Sequence, residues 1–226
     1  MEISKNIMIV LGIVLIVLIG VSVVLGFSNI DLRQKLSLKN TELNMIQNKL
    51  DDNITALNDK TESLNLSNLF INTYLEGLGS YYDATEIQES ADNKLDQAQI
   101  KYDNGYWSKA LAWYWKAMEK YTDAWQKFNE TKVIFNNAIE YEINKTYLDI
   151  CLIYSNIMDA SSNAMIYIYE ASENYAAACE FYLDNDYNAA HKSMETAELK
   201  MTYYNEEIET VEDYLYNLNI ILSEIN

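Results

Sequence analysis

His191 is the only imidazole in the chain, and three residues before it stands Asn188, not a carboxylate. A di-iron carboxylate bundle needs two Glu-x-x-His pairs on facing helices, so that chemistry has no ligand set here. His191 and Glu195 are four apart on one helical face, which reads most simply as a solvated first turn. Cys151 and Cys179 are the only thiols; no Cys-x-x-Cys for zinc and no Cys-x-x-Cys-His for haem occurs. Along one continuous helix their separation is roughly 42 Å, far beyond the reach of a disulfide. They share a heptad phase, which makes them core thiols. No nucleophile stands beside a base, and there is no glycine-rich phosphate loop. The expectation is a chain that is not an enzyme and carries neither cofactor nor metal.

One concentration of residue types remains. Between Tyr106 and Phe128 lie eight aromatics, including all four tryptophans. At 100° per residue, Trp107, Tyr114, Tyr121 and Trp125 share a stripe, while Trp113 and Tyr106 fall roughly 100–120° to one side and Trp115 about 80° to the other. A stripe is core, but an arc of about 200° is wider than a four-helix core needs. The plain account is a deeply buried helix with bulky flanks. The functional account makes Tyr106, Trp113 and Trp115 a face for a partner helix, a peptide or an apolar ligand.

These residues must be positioned by helices. Proline is absent and the last of six glycines is Gly105, so 121 residues run on without the usual turn and strand punctuation. The expected class is all-α. The last stretch alternates fours and threes from Ala190 through Met201, Ile208, Leu215 and Leu222 to Ile225. The one before it carries Tyr147, Tyr154, Ile168, Tyr175 and Tyr182 in one phase and Cys151, Met158, Met165 and Cys179 in the other. That phase passes unbroken through the polar stretch 159–163, which therefore reads as helix. The aromatic stretch is read as Trp107, Leu111, Tyr114, Met118, Tyr121, Trp125 and Phe128, and Ala84, Ala91 and Ala98 before it offer small residues to pack against. Turns at Asp103-Asn-Gly105, near Asn144 and at Asp184-Asn-Asp186 give helices at about 81–103, 106–143, 146–183 and 187–225. Matched lengths and short turns predict an antiparallel up-and-down bundle over 81–226. Asp103-Asn-Gly-Tyr106 and Asp184-Asn-Asp-Tyr187 lie 81 residues apart, a sparse sign of a repeated hairpin, and that period excludes a 34-residue tetratricopeptide array.

Upstream, Leu36, Leu43, Leu50, Leu57, Leu64, Ile71 and Leu78 recur every seven residues without a miss. Seven-residue spacing keeps one stripe facing a partner helix. With these at d, the a positions are Asn40, Gln47, Ile54, Thr61, Asn68 and Leu75: half-polar, weaker in pairing but definite in register. The reading is a coiled-coil stalk over 28–80, roughly 63 Å from Leu36 to Leu78, that forms a parallel homodimer. The alternative is a stalk folded back on its own body. Gly77-Leu78-Gly79-Ser80 is expected to break the rod as a hinge.

Ahead of the stalk and after a short tail (1–6), residues 7–27 carry no charge. That length can span about 30 Å of hydrocarbon, so a transmembrane helix is expected; a cleaved signal peptide, with Val24 and Gly26 at the cleavage site, is the competing reading. Lys5 on one side and Arg33, Lys35 and Lys39 on the other nearly balance the orientation rule. A lysine-poor body rich in Asn and Tyr favours the exterior. Residues 81–226 hold 10 basic against 26 acidic side chains, a net of −16, which argues against nucleic acid and anionic lipid headgroups as partners. In architecture the body resembles the four-helix sensory modules of bacterial and archaeal receptors. Those return through the membrane to an output domain, whereas this chain ends at Asn226 within its last helix. The expected role is a membrane-anchored spacer presenting a bundle to an unknown protein partner, with ligand sensing through the aromatic arc as the alternative.

Overall fold

Past Gly105 nothing in this sequence stops a helix except a turn built from polar residues. The computed structural model describes the backbone of residues 2–141 and 144–225 and the side chains of residues 18, 19, 32–141 and 144–224. Four helices result: α1 Glu2–Asp103, α2 Trp107–Ile139, α3 Lys145–Leu183 and α4 Tyr187–Ile225. No strand occurs among the described residues. The chain divides into two units, Met1–Glu62 and Ser63–Asn226. In the first, every described side chain from Leu32 to Glu62 is exposed. Of the anchor expected at 7–27, only Leu18 and Ile19 have described side chains, so that expectation lies outside the described residues. Among the described residues no helix is long and apolar enough to cross a membrane.

The second unit is an up-and-down bundle in which consecutive helices pack antiparallel. Its register can be followed bond by bond. Between α1 and α2, the Tyr114 hydroxyl donates to Gln99 Oε1 at 3.1 Å and the Tyr121 hydroxyl to Asp92 Oδ1 at 2.7 Å. Farther along, the Ser80 and Thr131 hydroxyls meet at 2.6 Å in the interior. Between α2 and α3, Trp107 stacks on Tyr182 with ring centroids 4.4 Å apart, Asn129 donates to Ser162, and Ser155 donates to Asn136. Between α3 and α4, Lys200 pairs with Glu170 and Tyr167 meets Tyr203.

The core is built from a small column beside a large one. On α2, Tyr114, Tyr121, Phe128 and Phe135 are fully buried, and so are Ala110, Ala117, Ala124, Thr131 and Ala138. On α1, Ala84, Ala91 and Ala98 are likewise at 0% exposure. Alanine lets helix axes approach closely while the phenol and phenyl rings fill the space between them. The stretch 159–163 is helical because its serines suit this core. Ser161 and Ser162 are buried, and Ser162 accepts the Asn129 amide.

The structure departs from expectation at the stalk–body boundary. α1 passes through residues 77–80 without a break. Gly77 is required for close approach: a Cβ there would lie 2.8 Å from Phe135 Cε1. Phe70, Tyr74 and Leu78 pack into the core alongside it, so residues 63–80, expected in the stalk, belong to the compact unit.

The turns also refine the repeat. Lys101 and Tyr102 carbonyls accept the Tyr106 and Gly105 amides, and Phe181 and Tyr182 carbonyls accept the Asp186 and Asn185 amides. Both are Schellman ends, with positive φ at Gly105 (71°) and Asn185 (61°). The hairpins therefore correspond at a spacing of 80, one less than the motif match implied. At that spacing Ala84, Ala91, Ala98, Ala110 and Ala117 coincide with Ala164, Ala171, Ala178, Ala190 and Ala197, each at 0% exposure. α2 ends at Ile139, short of the expected 143, because the Glu140 and Tyr141 amides turn back onto the Asn137 and Ala138 carbonyls in a tightened last turn.

Candidate functional site

Of the three residues expected to form a binding face, Tyr106 and Trp115 are 56% and 54% exposed, while Trp113 is half-buried against the core near the 103–106 turn. Lys116 Nζ lies 4.3 Å from the Trp113 ring centroid and Lys109 Nζ 5.2 Å from that of Tyr106. Each is a cation–π contact with its own helix. No ring contact joins Tyr106, Trp113 and Trp115 among the described residues: Tyr106, at the N-cap, and Trp115 are separate exposed rings, and Trp113 lies against the core.

The expected core stripe of α2 is corrected at one position. Trp125 is 41% exposed. The second core column follows Ala117, Ala124 and Thr131, and burying Ala124 in place of its neighbour turns Trp125 outward onto the groove between α2 and α3. There it lines a cleft of about 360 Å³ with Tyr121 and Thr122 from α2 and Met165, Ile166, Tyr169, Glu170 and Glu173 from α3. Sequence reasoning missed this site. Its signal was the Tyr121/Trp125 pair facing Met165/Tyr169, each four apart, with Glu170 and Glu173 next to them.

Beneath the cleft, Tyr121 holds Asp92. Burial raises the Asp92 carboxyl above its ordinary range, and the Tyr121 hydrogen bond offsets part of that rise. Burial also raises the Tyr121 phenol, reinforced by the adjacent Asp92 charge. Both cysteines are free and buried; desolvation pushes Cys151 up to about 11 and Cys179 up to about 12, so neither is a nucleophile or a ready metal ligand. Among the described residues no group of three or more His, Cys, Asp or Glu side chains could hold a metal ion. Asn129 and Asn144, each opening an Asn-x-Thr sequence, carry structural roles: Asn129 donates to Ser162, and Asn144 Oδ1 accepts the Thr146 amide at 2.8 Å to cap α3.

A second, more apolar cleft of about 420 Å³ lies at the far end of the bundle, between Phe70, Ile71 and Tyr74 of α1, Tyr147 and Ile150 of α3 and Leu222 of α4. Of the seven seam residues, Leu36, Leu43, Leu50, Leu57 and Leu64 are 55–64% exposed. Ile71 is 50% exposed at the lip of this cleft, and Leu78 packs into the core. No protein-family model, curated protein or solved structure matches the chain.

Proposed function

We propose that the chain is a membrane-anchored, non-catalytic spacer that presents its helical bundle to a protein partner at a distance from the bilayer. The observation that carries this reading is the leucine column. Leu36, Leu43, Leu50 and Leu57 recur every seven residues on a helix whose described side chains are all exposed up to Glu62. A column of large apolar side chains in water is a cost unless a second helix covers it. Residues 7–27 anchor the chain. Anchoring holds copies side by side in one orientation, which raises their effective concentration and lets a half-polar seam pair as a parallel homodimer. The exposed rings of Tyr106 and Trp115 give the bundle edges on which a partner can gain area.

In-cell crosslinking read by mass spectrometry tests this reading. It should return a defined protein joined to the bundle, with stalk–stalk links between copies and protease access to residues 81–226 from outside the cell. A chain recovered in the soluble fraction, with neither self-links nor a reproducible partner, would overturn it.

A further inference from the structure

The α2–α3 cleft is lined by an indole, a half-buried phenol ring and two carboxylates, Trp125, Tyr169, Glu170 and Glu173, above the fully buried ring of Tyr121. We propose that it binds a small organic monocation, a quaternary or alkylated ammonium group. Aromatic faces attract cations through their quadrupoles, the indole most strongly, and Trp125 is open to solvent where a ligand would enter. Glu173 is exposed and makes no ion pair or hydrogen bond among the described residues, so its charge is available. Of the remaining lining, Met165 and Ile166 are apolar and Thr122 turns its hydroxyl to the Met118 carbonyl of its own helix, a surface that matches alkyl groups better than a hydrated metal ion.

The same chemistry already operates at the rim. Lys200 Nζ sits 2.6 Å from Glu170 Oε2, with the Tyr167 and Tyr203 ring centroids 5.8 and 5.9 Å away. Two rings and a carboxylate thus hold an ammonium on this face of the molecule; Glu170 is shared with the cleft and already paired there, so Glu173 is the carboxylate the cleft leaves open. The surrounding charge acts in the same sense: 26 acidic against 10 basic side chains over residues 81–226 draw cations in and repel anions. This inference stands independently of the spacer reading.

The test is titration of the full chain, in a nonionic maltoside detergent, with tetramethylammonium chloride against its neutral isostere tert-butanol, read by saturation transfer to the ligand methyl protons. Tetramethylammonium should bind saturably and tert-butanol should not. Trp125→Leu keeps apolar volume and removes the ring, and should weaken binding about tenfold; Glu173→Gln should weaken it severalfold while the melting curve stays unchanged. Phosphocholine should bind more weakly than tetramethylammonium, because its phosphate meets Glu170 and Glu173. No saturable binding, or equal binding of tert-butanol, would overturn the proposal. So would full affinity in a folded Trp125→Leu chain, and phosphocholine binding as tight as tetramethylammonium would replace the free cation with a lipid headgroup. Should Trp125→Leu fail to fold, Glu173→Gln decides alone, since an unchanged affinity there removes the charge from the site.

Discussion

A methyl group added at Gly77 would lie 2.8 Å from Phe135, whereas one added at Gly79 would meet nothing within 4 Å. Two glycines a residue apart therefore have opposite meanings. Gly77→Ala should destabilise the bundle by about 1–3 kcal/mol through overpacking, and Phe135→Leu in the same chain should recover part of that. Gly79→Ala should stabilise it by about 0.5–1 kcal/mol, since glycine in a helix interior carries an entropic penalty. Chemical denaturation measures both, and comparable losses at the two sites would restore the hinge that the sequence suggested. Asp92 supplies a second residue-level prediction. Its carboxyl is raised by burial in the folded state, so the folded protein holds that proton more tightly than the unfolded chain. The contribution is fully present below the ordinary aspartate range and is lost as pH rises through the folded value. Asp92→Asn keeps an acceptor for the Tyr121 hydroxyl, so it should flatten the fall in stability over that window and leave the neutral-pH melt equal or higher. A variant whose pH profile matches the original would mean that Asp92 is solvated as in the unfolded chain.

Helix ends and helix faces differ in how far sequence reveals them. The starts of α3 and α4 come within a residue of expectation, because Asn144 and Asp184-Asn-Asp186 are local signals read by the backbone itself. Faces depend on what lies opposite. Reading the largest side chains along α2 puts Trp125 in the core column beside the buried Met118, whereas the structure buries Ala124 at that turn and leaves Trp125 41% exposed. Only close approach of the neighbouring helices makes alanine the better filler, and one helix's periodicity does not contain that distance. Gly77 was misread for the same reason, since its partner Phe135 lies on another helix. The exposure of Tyr106 and Trp115 was legible as an angle, but the Trp125 cleft was not, because it is made by two helices together. The turns allow a test at this scale. Gly105 and Asn185 occupy equivalent left-handed positions, which glycine adopts freely and asparagine at some cost. Gly105→Ala should therefore cost about 1–2 kcal/mol, and Asn185→Gly should be neutral or raise the melting temperature. Loss of stability on Asn185→Gly would assign that side chain a contact beyond its backbone role.

At the scale of the whole molecule, the two hairpins bury alanines at a constant spacing of 80, so the bundle closes its core with its own four helices. In the first unit, the described side chains from Leu32 to Glu62 are all exposed in the single chain. If Leu50 and Leu57 pair with a second copy, removing them should separate two properties that a folded-back stalk would tie together. Leu50→Ala with Leu57→Ala should leave the melting temperature of the monomeric bundle unchanged, because both side chains are 55–64% exposed in the single chain. The same pair should weaken self-association by about 2–5 kcal/mol for each leucine that the dimer buries. A cysteine at Leu36 reports the association directly, since parallel pairing at d positions brings it to its counterpart on the other chain. Cys151 and Cys179 add little background, being buried with thiols raised to about 11 and 12. In membranes the Leu36→Cys chain should therefore form a disulfide-linked dimer, and the added double alanine should abolish it while the bundle melts as before. If the column packs against the chain's own body, the double variant lowers the melting temperature at every protein concentration and no crosslink forms. That outcome would remove the dimer and leave the leucine column as part of a single folded chain.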